Sequence, residues 1–177
     1  TTKPLPGMME YEDIKIQLVD TGPVAEGLLE PYHKNLARAT DLLLVVIDLE
    51  ANDPAGDFKT IKDSLAAVKV ELARDLPKET LEYGVKTQRA LVVVNKMDAD
   101  EEGALMGELR KNIAGQFDIF PISALNGDGI EALRRAIFDA LDILRAYSKI
   151  PGKPPDMASP FVLKKGETVM DFARHLH

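Results

Sequence analysis

The sequence predicts an α/β fold with a mostly parallel sheet flanked by helices. Two continuous apolar runs, 42–48 and 90–94, are typical of strands that are covered on both faces. Segments whose apolar residues recur at helical spacing follow these runs. Strands that alternate with helices in this way indicate a parallel sheet, which binds ligands in the loops beyond the carboxyl ends of its strands.

The first elements in the chain are two short strands at 8–20, around a turn near Glu12-Asp13. In the second of them, apolar and polar residues alternate with a period of two. Residues 25–39 have moderate helical character and precede the buried strand at 42–48. An amphipathic helix over about 57–75 follows, because four apolar residues recur at helical spacing: Ile61, Leu65, Val68 and Leu72.

The second half of the chain continues the alternation. Residues 76–88 are polar and irregular, and the buried strand at 90–94 comes next. The pattern then predicts a helix over 101–114, a short strand at 117–122 and a long helix with an apolar stripe at 130–146.

The composition changes after residue 147. Residues 151–160 contain four prolines and one glycine, which is typical of a stiff linker. A strand is expected at 161–163. Thr168 is placed to cap a helix that starts near Val169.

The overall composition indicates a globular protein with a sizeable core, since 45% of the residues are hydrophobic and 29% are charged. There is no cysteine, so disulfides and cysteine metal sites are excluded. No apolar run approaches the roughly 18 residues of a membrane span, and no signal-peptide pattern opens the chain. A cytoplasmic location is therefore expected. The net charge of −7 argues against a broad surface that coats nucleic acid, although the tail after residue 147 is mildly basic.

Asn95-Lys96-Met97-Asp98 directly follows a buried strand and is the strongest motif in the chain. Guanine presents an N1–H and an exocyclic amine side by side, and one carboxylate can accept both hydrogens. Asp98 is the expected reader of that edge, and it disfavours adenine, which lacks this pair of donors. Asn95 would tie neighbouring loops together, and the Lys96 stem would lie along the base.

Ser123-Ala124-Leu125 falls one strand later, at the next end of the sheet. Small residues in this segment allow a backbone N–H to approach the carbonyl oxygen of guanine. The segment is weak evidence alone. Its position after the strand that follows Asn95–Asp98 makes the two motifs together a specific indication of a guanine site.

Asp20-Thr21-Gly22-Pro23 follows the second strand and predicts contacts with phosphates. An aspartate at this position can hold Mg²⁺ through water, because Mg²⁺ keeps much of its hydration shell. A backbone N–H two or three residues later can contact a γ-phosphate. Thr2 is a candidate hydroxyl ligand for the same metal. A simple turn after a strand explains the segment about as well.

The order of these elements resembles the G domain of translation-factor-class GTPases, closest to the Obg/DRG-like group. Thr1-Thr2 with Pro6-Gly7-Met8-Met9 is similar to the switch I segment, and Asp20-Thr21-Gly22-Pro23 to switch II. Asn95–Asp98 is similar to the guanine-specificity motif, and Ser123–Leu125 to the last base-contacting loop. The resemblance covers nearly the whole chain. It implies a protein that binds GTP or GDP together with Mg²⁺.

The resemblance also implies a domain organisation. Residues 1–147 would form a partial G domain that ends with its C-terminal helix, and 148–160 a proline-rich linker. Residues 161–177 would be the start of a TGS domain, a small ubiquitin-like fold that is often appended to such GTPases.

Two departures from the family pattern bear on activity. The G-x-x-x-x-G-K-[ST] phosphate loop is absent from these 177 residues, together with the strand that leads into it. The family places that strand between 14–20 and 42–48, so exposed sheet edges, an altered sheet or an oligomer are expected. Switch II usually ends D-x-x-G, whereas the fourth position here is Pro23, which has no N–H. Gly22 is then the residue expected to contact the γ-phosphate.

The leading interpretation is a GTP/GDP-binding protein whose parent hydrolyses GTP near ribosomes or RNA, which it contacts through the TGS region. This chain itself is expected to be inactive without the phosphate loop, and no catalytic residue is assigned. The alternative is a non-catalytic interaction module with a degenerate nucleotide site and a partner-binding TGS segment. The three histidines (His33, His175 and His177) show no metal spacing, and ordinary structural roles are expected for them.

Overall fold

The computed structural model has the predicted α/β architecture, a parallel sheet with helices on both faces. It describes residues 3–24, 29–77, 83–100, 103–113, 115–158 and 160–175. The strands are β1 (Leu5–Tyr11), β2 (Ile14–Asp20), β3 (Leu43–Asp48), β4 (Val70–Ala73), β5 (Lys86–Asn95), β6 (Ile119–Pro121), β7 (Ile143–Ala146) and β8 (Phe161–Lys164). The helices are α1 (Pro31–Ala39), α2 (Pro54–Ala67), α3 (Ala104–Ile113), α4 (Ile130–Ala140) and α5 (Val169–His175).

Strand β5 is the centre of the parallel sheet. It pairs with β4 along its first half and with β3 and β6 along its second half, always in parallel. The register with β3 sets Asp48 opposite Asn95, the last residue of each strand. The carboxyl ends of β3 and β5 therefore meet at one edge of the sheet, which is where parallel sheets bind ligands.

The apolar run in β5 is covered on both faces, as the sequence predicts. Ala90, Val92 and Val94 pack in one core cluster with side chains of α2 and α3. Leu91 and Val93 pack in a second cluster with side chains of α4. Because adjacent residues of a strand point to opposite faces, a run that is apolar at every position fills both cores.

Two predicted helices are shorter than expected, and each gives way to a strand. The helix predicted over 57–75 is α2, which begins at Pro54 and ends at Ala67. Lys69 then has a φ of 62°, and the chain continues as β4. The helix predicted over 130–146 is α4, which ends at Ala140, and Asp142 with a φ of 53° leads into β7. In both places a left-handed residue stops the helix, and the following apolar residues pair with a distant strand.

Strands β1 and β2 form an antiparallel hairpin whose turn is at Glu12-Asp13, as predicted. Side chains rather than sheet hydrogen bonds attach the hairpin to the C-terminal part of the chain. Tyr11 stacks on Phe138 of α4 with ring centroids 5.0 Å apart. Arg145 of β7 forms ion pairs with both turn carboxylates, and Tyr147 donates a hydrogen bond of 2.6 Å to Asp13.

A cavity of about 940 Å³ lies between β2 and β3. Residues along the whole of β2 line it on one side, and 42–46 line it on the other. Within the ranges that the structure describes, β2 pairs only with β1, and β3 only with β5. The two strands therefore do not pair with each other, and each keeps one edge without a partner strand.

The tail after the proline-rich segment folds back onto the body. Strand β8 pairs antiparallel with β7, so this pairing crosses the predicted boundary at residue 147. Thr168 Oγ1 accepts a hydrogen bond from the Asp171 N–H at 3.3 Å, and Asp171 in turn accepts one from the Thr168 N–H. This is the reciprocal cap of a helix start. Across the described ranges, no helix is both long enough and apolar enough to cross a membrane.

Candidate functional site

Asn95 joins the loops that follow two neighbouring strands. It is the last residue of β5, and its Oδ1 accepts a hydrogen bond of 2.9 Å from the Ala124 N–H in the loop after β6. A second link is the backbone hydrogen bond of 3.1 Å from the Met97 N–H to the Ile122 carbonyl. The structure thus brings the Asn95–Asp98 segment and the Ser123–Leu125 segment together.

Lys96 is held beside the ends of β3 and β5 by two acidic side chains. Its backbone is left-handed, with a φ of 67°. Its Nζ lies 2.7 Å from Asp48 Oδ2 and 3.0 Å from Glu50 Oε2. The hydrogen bond with Lys96 lowers the pKa of Asp48, and the hydrogen bonds with Asp48 and Glu50 raise the pKa of Lys96. Because all three side chains are partly exposed, these pairs orient the Lys96 stem more than they stabilise the fold.

Glu50 is part of this cluster, although the sequence did not single it out. Its backbone N–H donates to Asp48 Oδ1 at 3.0 Å, which closes a local turn after β3. The sequence does indicate such a role in one respect, because Glu50 stands two positions after Asp48, the carboxylate that ends a buried strand.

Asp98 and Asp100 differ sharply although they are two residues apart. Asp100 is buried, and its carboxylate accepts hydrogen bonds from the backbone N–H groups of Leu105 and Met106, which belong to the first turn of α3. Asp98 is exposed, and among the described residues its carboxylate has no hydrogen-bond or ion-pair partner. Asp100 therefore has a structural task, whereas the exposed carboxylate of Asp98 is accessible to a ligand.

The Ser123–Leu125 loop is already organised by its own hydrogen bonds. Ser123 is fully buried, and its Oγ accepts from the Asn126 N–H at 3.1 Å. Since the Ala124 N–H is engaged by Asn95, the N–H of Leu125 is the one in this loop with no acceptor among the described residues. Leu125 itself is 84% exposed. The loop thus presents one unpaired donor beside the Asn95–Asp98 segment.

The Asp20–Pro23 segment lies at the end of β2, and its anchor is a different part of the chain. Asp20 is exposed and Gly22 is buried. The Gly22 carbonyl lies 3.1 Å from Nε2 of His33, which is in α1. Gly22 and His33 both line the cavity between β2 and β3. The other predicted metal ligand, Thr2, lies outside the described residues.

His33 is a site residue that sequence reasoning missed. It is 5% exposed, and its Nδ1 accepts a hydrogen bond of 3.0 Å from the Glu30 N–H at the start of α1. The expectation of an ordinary structural role did not include the contact with Gly22. No pattern in the sequence links these two residues, which are 11 positions apart.

Among the described residues, no group of three or more histidine, cysteine, aspartate or glutamate side chains could hold a metal ion. A magnesium ion that accompanies a nucleotide does not require such a group, because it is bound through one or two carboxylates, waters and the phosphates. The exposed carboxylate of Asp20 fits that pattern.

Curated relatives of this chain are GTP-binding proteins. An uncharacterized GTP-binding protein of Halobacterium salinarum is 33% identical over 97% of this chain and 62% of its own length. Developmentally-regulated G-protein 1 of Arabidopsis thaliana is 26% identical over 98% of this chain and 57% of its own length. GTPase Obg of Halalkalibacterium halodurans is 26% identical over 80% of this chain and 35% of its own length. The chain thus spans less than two thirds of each of these relatives.

A solved structure supports the fold. The crystal structure of a Plasmodium falciparum protein described as nucleolar GTP-binding protein 1 superposes with a TM-score of 0.52, covering 77% of this chain and 69% of that one at 16% identity. No family model matches the chain. The relatives that this chain matches are thus GTP-binding proteins, with Obg and developmentally-regulated G-proteins among them, and the chain shares the α/β fold of this solved structure.

Proposed function

We propose that this chain carries the base-recognition part of a guanine-nucleotide site, in a protein that binds GTP and GDP. The observation that supports this most directly is the pair of loops after β5 and β6. Asn95 fastens the loops to each other at 2.9 Å, and the Asp98 carboxylate beside them is exposed and unengaged among the described residues. An acceptor pair on a preorganised loop is what recognition of the N1–H and amine of guanine requires.

The remaining base contacts follow from the donors and stems that the loops present. Lys96 would lie along the plane of the base while its ammonium stays with Asp48 and Glu50. The Leu125 N–H would donate to the guanine carbonyl oxygen, with Ala124 taking this part if its bond to Asn95 is exchanged on binding. Ser123 would support the loop from its buried position.

The phosphate side of the site is proposed at the end of β2. The Gly22 N–H has no acceptor among the described residues, although the residue is buried. A phosphate oxygen would be a suitable acceptor for this N–H. Asp20 would hold Mg²⁺ through water, with Thr2 as a further ligand. When bound, the ion would neutralise charge on the phosphates.

We propose GTP hydrolysis as the activity of the intact protein, because GTPase Obg is among the relatives of this chain. Phosphoryl transfer depends on groups that position and neutralise the phosphates. The residues described above recognise a base and one phosphate. No residue of this chain is assigned to the chemical step.

A role near ribosomes or RNA is proposed through the tail, which would be the start of a TGS domain. Its strand β8 and helix α5 pack through Phe161 and Phe172, whose ring centroids are 5.3 Å apart. Lys164 and Lys165 pair with aspartates of this chain. Lys149 and Lys153 form no ion pair among the described residues and are exposed. They are the tail cations best placed to contact a phosphate-rich partner.

The experiment that tests the proposal compares the diphosphates of guanosine, inosine and adenosine by NMR titration of this chain with Mg²⁺. Inosine lacks the exocyclic amine, so it loses one of the two hydrogen bonds to Asp98. We expect guanosine to bind about tenfold more tightly than inosine, which is the effect of one hydrogen bond to a charged group. Adenosine should bind more weakly still. Equal affinities would overturn the assignment of Asp98, and binding of none would favour the non-catalytic interaction module.

A further inference from the structure

His33 connects the first turn of α1 to the segment that follows β2. Its two ring nitrogens have different partners, the Glu30 N–H at 3.0 Å from Nδ1 and the Gly22 carbonyl at 3.1 Å from Nε2. The side chain is 5% exposed, so neither partner is exchanged easily for water. This bridge spans 11 residues of sequence.

The two partners fix the tautomer of the ring. A backbone N–H can only donate, so Nδ1 must accept the hydrogen bond from Glu30 with its lone pair. A carbonyl can only accept, so Nε2 must carry the hydrogen that is donated to Gly22. The neutral ring with its proton on Nε2 satisfies both contacts, and the opposite tautomer satisfies neither.

The contact restricts a residue that would otherwise be the most flexible in its segment. Glycine populates more backbone conformations than any other residue. Here the following Pro23 disfavours the helical region for Gly22. His33 then holds the Gly22 carbonyl. With its carbonyl held and its ψ restricted, Gly22 has fewer backbone conformations available, so its N–H samples fewer directions beside the cavity that the residue lines.

We propose that His33 is a positioning residue, which holds the Gly22 N–H ready for the terminal phosphate of the nucleotide. The inference rests on the proposed function of Gly22. Pro23 cannot donate a hydrogen bond, so Gly22 is the donor that this segment offers in place of the usual glycine.

The test uses two variants that keep opposite halves of the bridge. In His33→Gln the amide nitrogen reaches the position of Nε2 and can still donate to Gly22. In His33→Asn the amide oxygen lies at the position of Nδ1, so it can still accept from Glu30 but does not reach Gly22. A purely structural role in starting α1 predicts that the asparagine variant is the better substitute.

The first measurement is the ¹⁵N spectrum of the His33 ring in the unaltered chain, which requires no variant to fold. We expect a neutral ring protonated on Nε2. A spectrum with the proton on Nδ1 would overturn the bridge.

The second measurement is NMR titration with GDP and with a non-hydrolysable GTP analogue in the presence of Mg²⁺, following the amide signal of Gly22. We expect the unaltered chain to prefer the triphosphate about tenfold, as one hydrogen bond to a charged group implies. His33→Gln should keep that preference, and His33→Asn should lose it while binding GDP as before.

The outcomes separate this inference from the proposed function. If guanosine nucleotides bind but the asparagine variant keeps the triphosphate preference, His33 does not position Gly22 and the inference fails alone. The inference also fails alone if the unaltered chain binds both nucleotides with no preference. If neither nucleotide perturbs the spectrum, both the proposed site and the inference fail.

Discussion

The side-chain oxygen of Asn95 accepts a hydrogen bond from the backbone N–H of Ala124 at 2.9 Å, although the two residues are 29 positions apart. This bond fastens the loop after β6 to the end of β5. It makes the relative position of the two loops depend on one amide side chain. The geometry of the proposed base-recognition site therefore depends on Asn95. Removal of the Asn95 side chain should reduce both the order of the two loops and their affinity for the ligand.

We predict that Asn95→Ala lowers the free energy of unfolding by about 1 kcal/mol, the usual value of one hydrogen bond. It should also speed hydrogen exchange of the Ala124 amide and weaken guanosine nucleotide binding. Urea unfolding and NMR exchange measure these effects. Asn126→Ala is the matched control, since the Asn126 side chain is exposed in the same loop. An equal loss of unfolding free energy in Asn126→Ala would contradict a specific contribution of the Asn95 hydrogen bond.

Asp98→Asn should weaken binding of guanosine nucleotides and favour xanthosine nucleotides. The amide can donate a hydrogen bond where the carboxylate only accepts, and xanthine presents a carbonyl in place of the guanine amine. Competition between the two nucleotides on the variant gives the preference. Asp63→Asn, an exposed position in α2, makes the same change of charge away from the loops. Guanine preference that persists in Asp98→Asn would rule out the assignment.

Gly129→Ala should destabilise the fold far more than Gly127→Ala. Both glycines have positive φ, 74° and 84°, which costs alanine about 1–2 kcal/mol. A Cβ at Gly129 would lie 2.3 Å from the Pro121 carbonyl oxygen, whereas one at Gly127 meets nothing within 4 Å. We expect about 1 kcal/mol for Gly127→Ala and at least about 3 kcal/mol for Gly129→Ala by urea unfolding. Similar losses of unfolding free energy in the two variants would mean that the Pro121 carbonyl can move away from a Cβ at position 129 at no cost in stability.

These 177 residues by themselves should bind GTP weakly and show no useful turnover. Base contacts cannot replace the backbone donors, the lysine and the hydroxyl of a phosphate loop, because the phosphates carry most of the charge of the ligand. Isothermal titration and a phosphate-release assay with Mg²⁺ measure both properties. Micromolar affinity together with magnesium-dependent turnover by a monomer of this chain would contradict the prediction.

The local hydrophobic pattern was sufficient to predict those elements whose structure depends mainly on residues close together in the sequence. The apolar run of β5 and the alternation in β2 each identified a strand, and the motif that follows β5 identified one loop of the candidate site. The predicted ends of α2 and α4 were wrong because β4 and β7 are stabilised by pairing with β5 and β8. Such pairing depends on residues far along the chain, which local spacing does not report.

The contacts of His33 could not be predicted for a similar reason. The sequence shows a lone histidine in a helix, and most such residues have no ligand. Its contact with Gly22 joins α1 to the segment after β2, and local spacing in the sequence does not report such contacts. The role of Glu50 beside Lys96 is likewise a product of the register between β3 and β5.

The separation of β2 from β3 divides the protein into units that need not open together. The hairpin is bound to the rest of the chain by Arg145, Tyr147 and the Tyr11–Phe138 stack, and no ladder of hydrogen bonds in the described ranges crosses from β2 to β3. Fluctuations of the hairpin therefore do not have to break the central sheet. We therefore expect amide exchange in β1 and β2 to proceed through a local opening of lower free energy than the global unfolding that exposes β5.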